Sequence, residues 1–229
     1  MERFEKIVLN IPHASLQNYH KGWSGSATFF NDIKGLTDWH TDIIFETDKA
    51  TVFIFPYSRF YVDVERLSED PLEKDGQGIL YTKYKGHTRM FDKGEKAYLT
   101  SLYTNYRSEI ARELDEHTIL IDCHSFSDDT AHDIDVCIGY NDDESKPDDE
   151  TIGMIVGEFA KKGYKAGINV PYSNSITPKE KLDYKSVMIE LNKRIYIDET
   201  TLLLNHDNYK KVMYCLDKIY DKLLGILVA

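Results

Sequence analysis

A chain of 229 residues with 41% hydrophobic content can bury a substantial core, and its net charge of −11 argues against the basic face that a duplex-binding protein needs to displace counterions. No apolar run is long enough to cross a bilayer. Three cysteines, Cys123, Cys137 and Cys215, without CxxC spacing, argue against both a disulfide framework and a cysteine-based zinc cluster.

The N-terminal "MERFEKIVLNIPH" has no signal-peptide pattern, since charge continues to Lys6 and the apolar run after it is short. The expectation is a cytoplasmic protein with no membrane or nucleic-acid partner. "KIVLNI", residues 6 to 11, reads as a core strand ended by Pro12, which delivers His13 to a loop. "TDWHTDIIFETDKA", 37 to 50, predicts a helix capped by Thr37 or Asp38, with Trp39, Ile43 and Ile44 on its apolar face. "TVFIF", 51 to 55, is strand-like. So is "RFYVDV", 59 to 64, which alternates Phe60, Val62 and Val64 against Tyr61 and Asp63.

Residues 67 to 94 are rich in glycine and charge and read as a long loop, a feature that is often functional. A helix follows over 95 to 116, with Leu99, Leu102, Tyr106, Ile110 and Leu114 at helical spacing. A strand at 119 to 123 gives way to a loop at Asp122 and His124, and another strand covers 134 to 139. The acidic "NDDESKPDDE", 141 to 150, reads as a solvated, self-repelling loop. A helix at 152 to 163 is closed by Gly163, "YKAGIN" and "SVMIEL" (186 to 191) are strands, and an amphipathic helix begins at Asn208. The alternation predicts one α/β domain over 1–229, a mixed, mostly parallel sheet with helices on both faces.

Ligands of such sheets bind at the carboxyl ends of the strands. His13 follows the first strand, Asp63, Glu65 and Arg66 end "RFYVDVER", Asp122 and His124 end "ILIDCH", and Glu190 lies inside the apolar "VMIELN". A glutamate in a strand interior is expensive unless paired or used. Two imidazoles and a carboxylate can hold Zn²⁺ with a position left for water, a glutamate can move the proton of that water, and an arginine can hold an anion. No Gly-x-Ser-x-Gly elbow, Walker loop or Gly-x-Gly-x-x-Gly run offers another chemistry.

"IPHAS", "TDWHTDIIF", "YSRFYVDVER", "IDCHSF", "IGYN" and "VMIELNKRIYIDE" occur in the order seen in the N-formylglutamate amidohydrolase family, and the chain resembles that family from about residue 7 to 200. The resemblance implies a zinc carboxypeptidase-like three-layer sandwich and a metal-dependent hydrolase with one Zn²⁺, acting on a small anionic N-acyl amino acid. It implies His13 and His124 as metal ligands, with Asp38 as the third and His40 or Asp42 as alternatives. It implies Glu190 as general base and Arg66 of "VDVER" as a substrate-binding arginine. Arg59 of "YSRF" is a second arginine assigned to the catalytic group, and "NVPY" contributes Asn169 and Tyr172 to the substrate site. Asp122 would support the metal ligands.

The sequence departs from the family pattern at Glu65, where Asn is common. It also has Asn174 and Ser175 in place of two glycines and Pro178 in place of an arginine, with Lys179 as a substitute charge. A metallopeptidase of the same chemistry and a non-catalytic binding module are the competing readings.

Overall fold

The computed structural model describes residues 1–176 and 183–226. In chain order it contains β1 (Lys6–Ile11), α1 (Ser26–Ile33), α2 (Thr41–Ile44), β2 (Thr51–Ile54), the short hairpin β3 (Lys83–Tyr84) and β4 (His87–Thr88), α3 (Lys93–Arg112), β5 (Thr118–Phe126), β6 (Val136–Gly139), α4 (Asp149–Ala160), β7 (Ala166–Ile168), β8 (Lys185–Asn192), β9 (Ile197–Asp198), β10 (Leu203–Leu204) and α5 (His206–Leu223). Six strands form one sheet in the order β2-β1-β5-β8-β6-β7. The first four are mutually parallel, and β6 runs antiparallel to β8 with β7 parallel to β6.

The period-2 alternation of the central strands divides the core into two layers. Ile7, Leu9, Ile119, Ile121, Val187 and Ile189 point to the face covered by α4 and α5, where they meet Ile155, Phe159, Leu216 and Ile219. Val8 and Leu120 point to the opposite face and pack on Leu99, Tyr106 and Ile110 of α3. This is the expected α/β sandwich, a mostly parallel sheet between helix layers. A third cluster, built on Trp23, Phe29, Phe60 and Tyr81, seats the loops beside the sheet. Among the described residues no helix is long and apolar enough to cross a membrane.

Three segments differ from their expected form. The helix over 37–50 shrinks to the single turn of α2, because His40 sits in the left-handed region at φ 62° and stops propagation backward. Asp38 therefore caps nothing, and its side chain is directed elsewhere. Residues 59–64 are not a strand: the N–H groups of Tyr61 and Val62 both donate to Ser58 O, at 2.8 and 3.1 Å, and wind the chain into a turn. Phe60, Tyr61, Val62, Asp63 and Val64 are all buried, so the apparent alternation has no exposed face. The strand expected at 119–123 runs on to Phe126, because β8 pairs with it through Phe126↔Asn192. Asp122 and His124 thus lie within a strand rather than in a loop.

Candidate active site

The face of the sheet that carries Val8 and Leu120 changes character toward the carboxyl ends of the strands. Asn10 succeeds Val8 on β1, and Asp122 and His124 succeed Leu120 on β5. In the parallel registers Asn10 lies beside Asp122, and His124 lies beside Glu190. α3 stops covering this face at Tyr106, whose hydroxyl donates to Asn10 Oδ1 at 2.6 Å. Beyond it opens a cleft of about 900 Å³, a size suited to a small molecule, with His13, Asp38, Arg66, His124, Tyr172 and Glu190 in its lining.

His13, Asp38 and His124 converge there. Their ligand atoms lie within 4.8 Å of one another, and all three residues are buried. Asp38 is brought to His13 by a backbone bond from its N–H to His13 O at 3.0 Å. Asp38 Oδ2 stands 3.1 Å from His124 Nδ1 and 3.7 Å from His13 Nδ1. The other nitrogen of each ring has its own carboxylate: His13 Nε2 lies 2.9 Å from Asp63 Oδ1, and His124 Nε2 lies 3.1 Å from Asp122 Oδ1. A carboxylate behind each imidazole fixes its tautomer and orientation. Of the alternatives to Asp38, His40 turns its Nε2 to Leu202 O at 2.9 Å and Asp42 is exposed, so neither joins the cluster.

The donor set fits a tetrahedral cation. Ligand atoms about 2.0–2.1 Å from Zn²⁺ stand about 3.3 Å apart, and the two nitrogen–oxygen separations fall on either side of that value. His13 Nδ1 is buried and has no hydrogen-bond partner among the described residues. With the proton on Nε2 for Asp63, Nδ1 turns a lone pair toward a carboxylate oxygen, an arrangement that a cation between them makes favourable.

A second group, Glu65, Asp122 and His124, has similar spacing, but three of its four carboxylate oxygens are already engaged. Asn10 Nδ2 donates to both Glu65 Oε1 and Asp122 Oδ1, at 2.6 and 2.7 Å, and Ile176 N–H donates to Asp122 Oδ2 at 2.8 Å. That group is a hydrogen-bonded buttress behind His124.

Electrostatics follow from burial and these partners. Burial alone would raise the Asp38 pKa, but the hydrogen bond with His124 and the nearby His13 ring outweigh it and hold the carboxyl well below its usual range. Burial opposes charge on His124, yet Asp122, Asp38 and Glu65 raise its pKa well above the ordinary imidazole value. Burial pushes the Glu190 carboxyl up to about 8, and its Oε2 has no partner among the described residues.

Two expected site residues have their polar atoms held by other contacts. Arg59 donates from Nε and Nη2 to Asp63 Oδ2, at 3.1 and 3.0 Å, and from Nη1 to Leu36 O at 3.4 Å. It lines the cleft, with its fork held by the carboxylate behind His13. Asn169 does not line the cleft. It sits at φ 53° and its Oδ1 accepts from Tyr140 N–H at 3.0 Å, which secures the end of β6. Arg66 and Tyr172 line the cleft as well. Pro178 and Lys179 lie outside the described residues.

Sequence reasoning missed Asn10, Tyr106 and Lys193, all of which touch the cleft or its buttress. The one available signal for Asn10 was a polar residue inside an apolar strand. Tyr106 matched the helical apolar spacing and looked like core.

A search of curated proteins returns no match. A sequence model described as N-formylglutamate amidohydrolase matches residues 5–197. Among solved structures, N-formylglutamate amidohydrolase from Ralstonia eutropha JMP134 superposes with a TM-score of 0.68 at 16% identity, over 98% of this chain and 94% of that one. A gene product of Agrobacterium tumefaciens superposes with a TM-score of 0.64 at 17% identity, over 98% and 90%. At these identities the two structures establish the fold, whereas the family match spans most of the sequence, including every residue of the cluster. The chain belongs to the N-formylglutamate amidohydrolase family, hydrolases that act on an amide bond.

Proposed function

We propose that the cleft is the active site of a zinc-dependent amidohydrolase that cleaves the amide of a small anionic N-acyl amino acid of the N-formylglutamate type, with His13, Asp38 and His124 as the ligands of one ion. The observation that carries this reading is the buried, unpartnered Nδ1 of His13, 3.7 Å from Asp38 Oδ2 while Asp63 holds the other ring nitrogen. A bound divalent ion supplies Lewis acidity toward a water and toward the scissile carbonyl. Glu190, in register with His124, accepts the proton of the attacking water and returns it to the leaving amine. Its raised pKa suits that role, because a carboxyl that holds the proton near neutrality can also release it. Asp63 and Asp122 keep the two imidazoles aimed, and Arg66 and Tyr172 offer contacts to the substrate.

Elemental analysis of the purified protein should find about one zinc per chain, and chelation should abolish release of acid from N-formylglutamate. Glu190→Gln should retain the ion and lose about 10²–10⁴ in kcat. Undiminished hydrolysis after exhaustive metal removal would refute the assignment.

A further inference from the structure

Lys193 is the least explained charge among the described residues. It follows the last residue of β8, is 1% exposed, and forms part of the cleft wall. Its Nζ donates to Gly35 O at 2.6 Å, its one hydrogen bond among the described residues, and no carboxylate there stands within ion-pair distance. Burial works against the charge of this ammonium, and Asp38 and Glu199 work for it from further off. Two other cations of the lining are differently placed. Arg59 is paired with Asp63, and Arg66 faces Asp63 and Asp70 at 3.6 Å while donating to Tyr81 Oη. An ammonium has three protons, and a buried one without a counter-ion is costly.

We propose that Lys193 is a specificity-determining residue whose ammonium takes a carboxylate of the substrate as its counter-ion, an inference that rests on the reading of the cleft as the active site of an N-acyl amino acid hydrolase. A carboxylate suits the site better than a phosphate. The lining also carries Asp38, Glu65, Glu190 and Glu199, and a single negative charge meets less repulsion there than a double one. A compact ammonium also accepts one oxygen without the planar match that a guanidinium requires.

The test is calorimetric binding of glutarate, a dicarboxylate without an amide, to the zinc-loaded protein and to Lys193→Met and Lys193→Gln, with zinc content measured in each. Glutamine keeps a donor for Gly35 O and lacks the charge. Both variants should bind glutarate about 10–100-fold more weakly, the span of a charge-assisted hydrogen bond, and should retain zinc. KM for N-formylglutamate should rise by a similar factor with kcat little changed. Equal glutarate affinity in all three proteins overturns the proposal, as does full recovery in Lys193→Gln. Zinc loss in either variant also overturns it, since Lys193 would then be a positioning residue for Asp38 through the Gly35 carbonyl. Wild-type protein that binds glutarate in a Lys193-dependent manner but hydrolyses no N-acyl amino acid supports the role of Lys193 and removes the hydrolase reading alone.

Discussion

Asp63 accepts hydrogen bonds on both oxygens: Oδ1 takes His13 Nε2 at 2.9 Å and the Glu65 N–H at 3.1 Å, and Oδ2 takes the Arg59 fork. Burial would raise its pKa, but Arg59, His13 and Arg66 outweigh that and keep it ionised. Asp63→Asn should therefore free both His13 and Arg59 and weaken zinc binding by about 10–100-fold, measured by competition with a chromophoric chelator. Glu190 obeys the opposite balance. In the metal-free protein its carboxyl titrates near 8, against 4.5 when exposed. Between those values the unfolded chain has released a proton that the folded one still holds, so stability falls as pH rises. Glu190→Gln removes that slope. The metal-free variant should gain on wild type by roughly 1.4 kcal/mol per pH unit across the window, as read from urea melts at pH 5, 6 and 7. A constant difference would mean that Glu190 titrates normally.

Helix α3 shows how an element serves the site from a distance. Its N-cap, Asp92, accepts from Glu95 N–H at 2.8 Å, and its far half brings Tyr106 to Asn10. Asp92→Ala should lower global stability by about 1 kcal/mol and leave zinc affinity unchanged, because the cap lies almost four turns from Tyr106. The acidic run at 141–150 behaves similarly. It is not wholly a solvated loop: Asp148 caps α4 through Thr151 N–H at 2.6 Å, and Asp149 and Glu150 occupy the first turn, where negative charge opposes the exposed N–H groups. The misread segments have one cause. Residues 37–50 and 59–64 carry helix-like and strand-like patterns, but both are short stretches whose conformation is set by tertiary partners, Asp38 by His124 and Asp63 by His13 and Arg59.

For the molecule as a whole, the four buried groups Asp38, His13, His124 and Glu190 sit where three parallel strands end, and in the proposed function an ion stabilises only the folded state that assembles them. Zinc at a hundred times its dissociation constant should add about 2.7 kcal/mol and raise the melting temperature by about 5–10 °C, with EDTA reversing the shift. No shift would count against an ion at this site.

The order of the amino acids marked the six strands of the sheet and the helices that cover its two faces, since apolar runs and helical spacing are local properties. It also singled out Asp-, His- and Glu-bearing positions at or near the ends of apolar runs. Tertiary structure alone decided which nitrogen of each histidine faces Asp38, that Asp38 rather than His40 or Asp42 joins them, that Arg59 is bound to Asp63, and that Lys193 has no counter-ion among the described residues. Apart from the Arg59–Asp63 pair, those choices depend on contacts between residues 25 to 162 positions apart. Such a contact forms only when the whole sheet has placed both partners, and no local pattern encodes it.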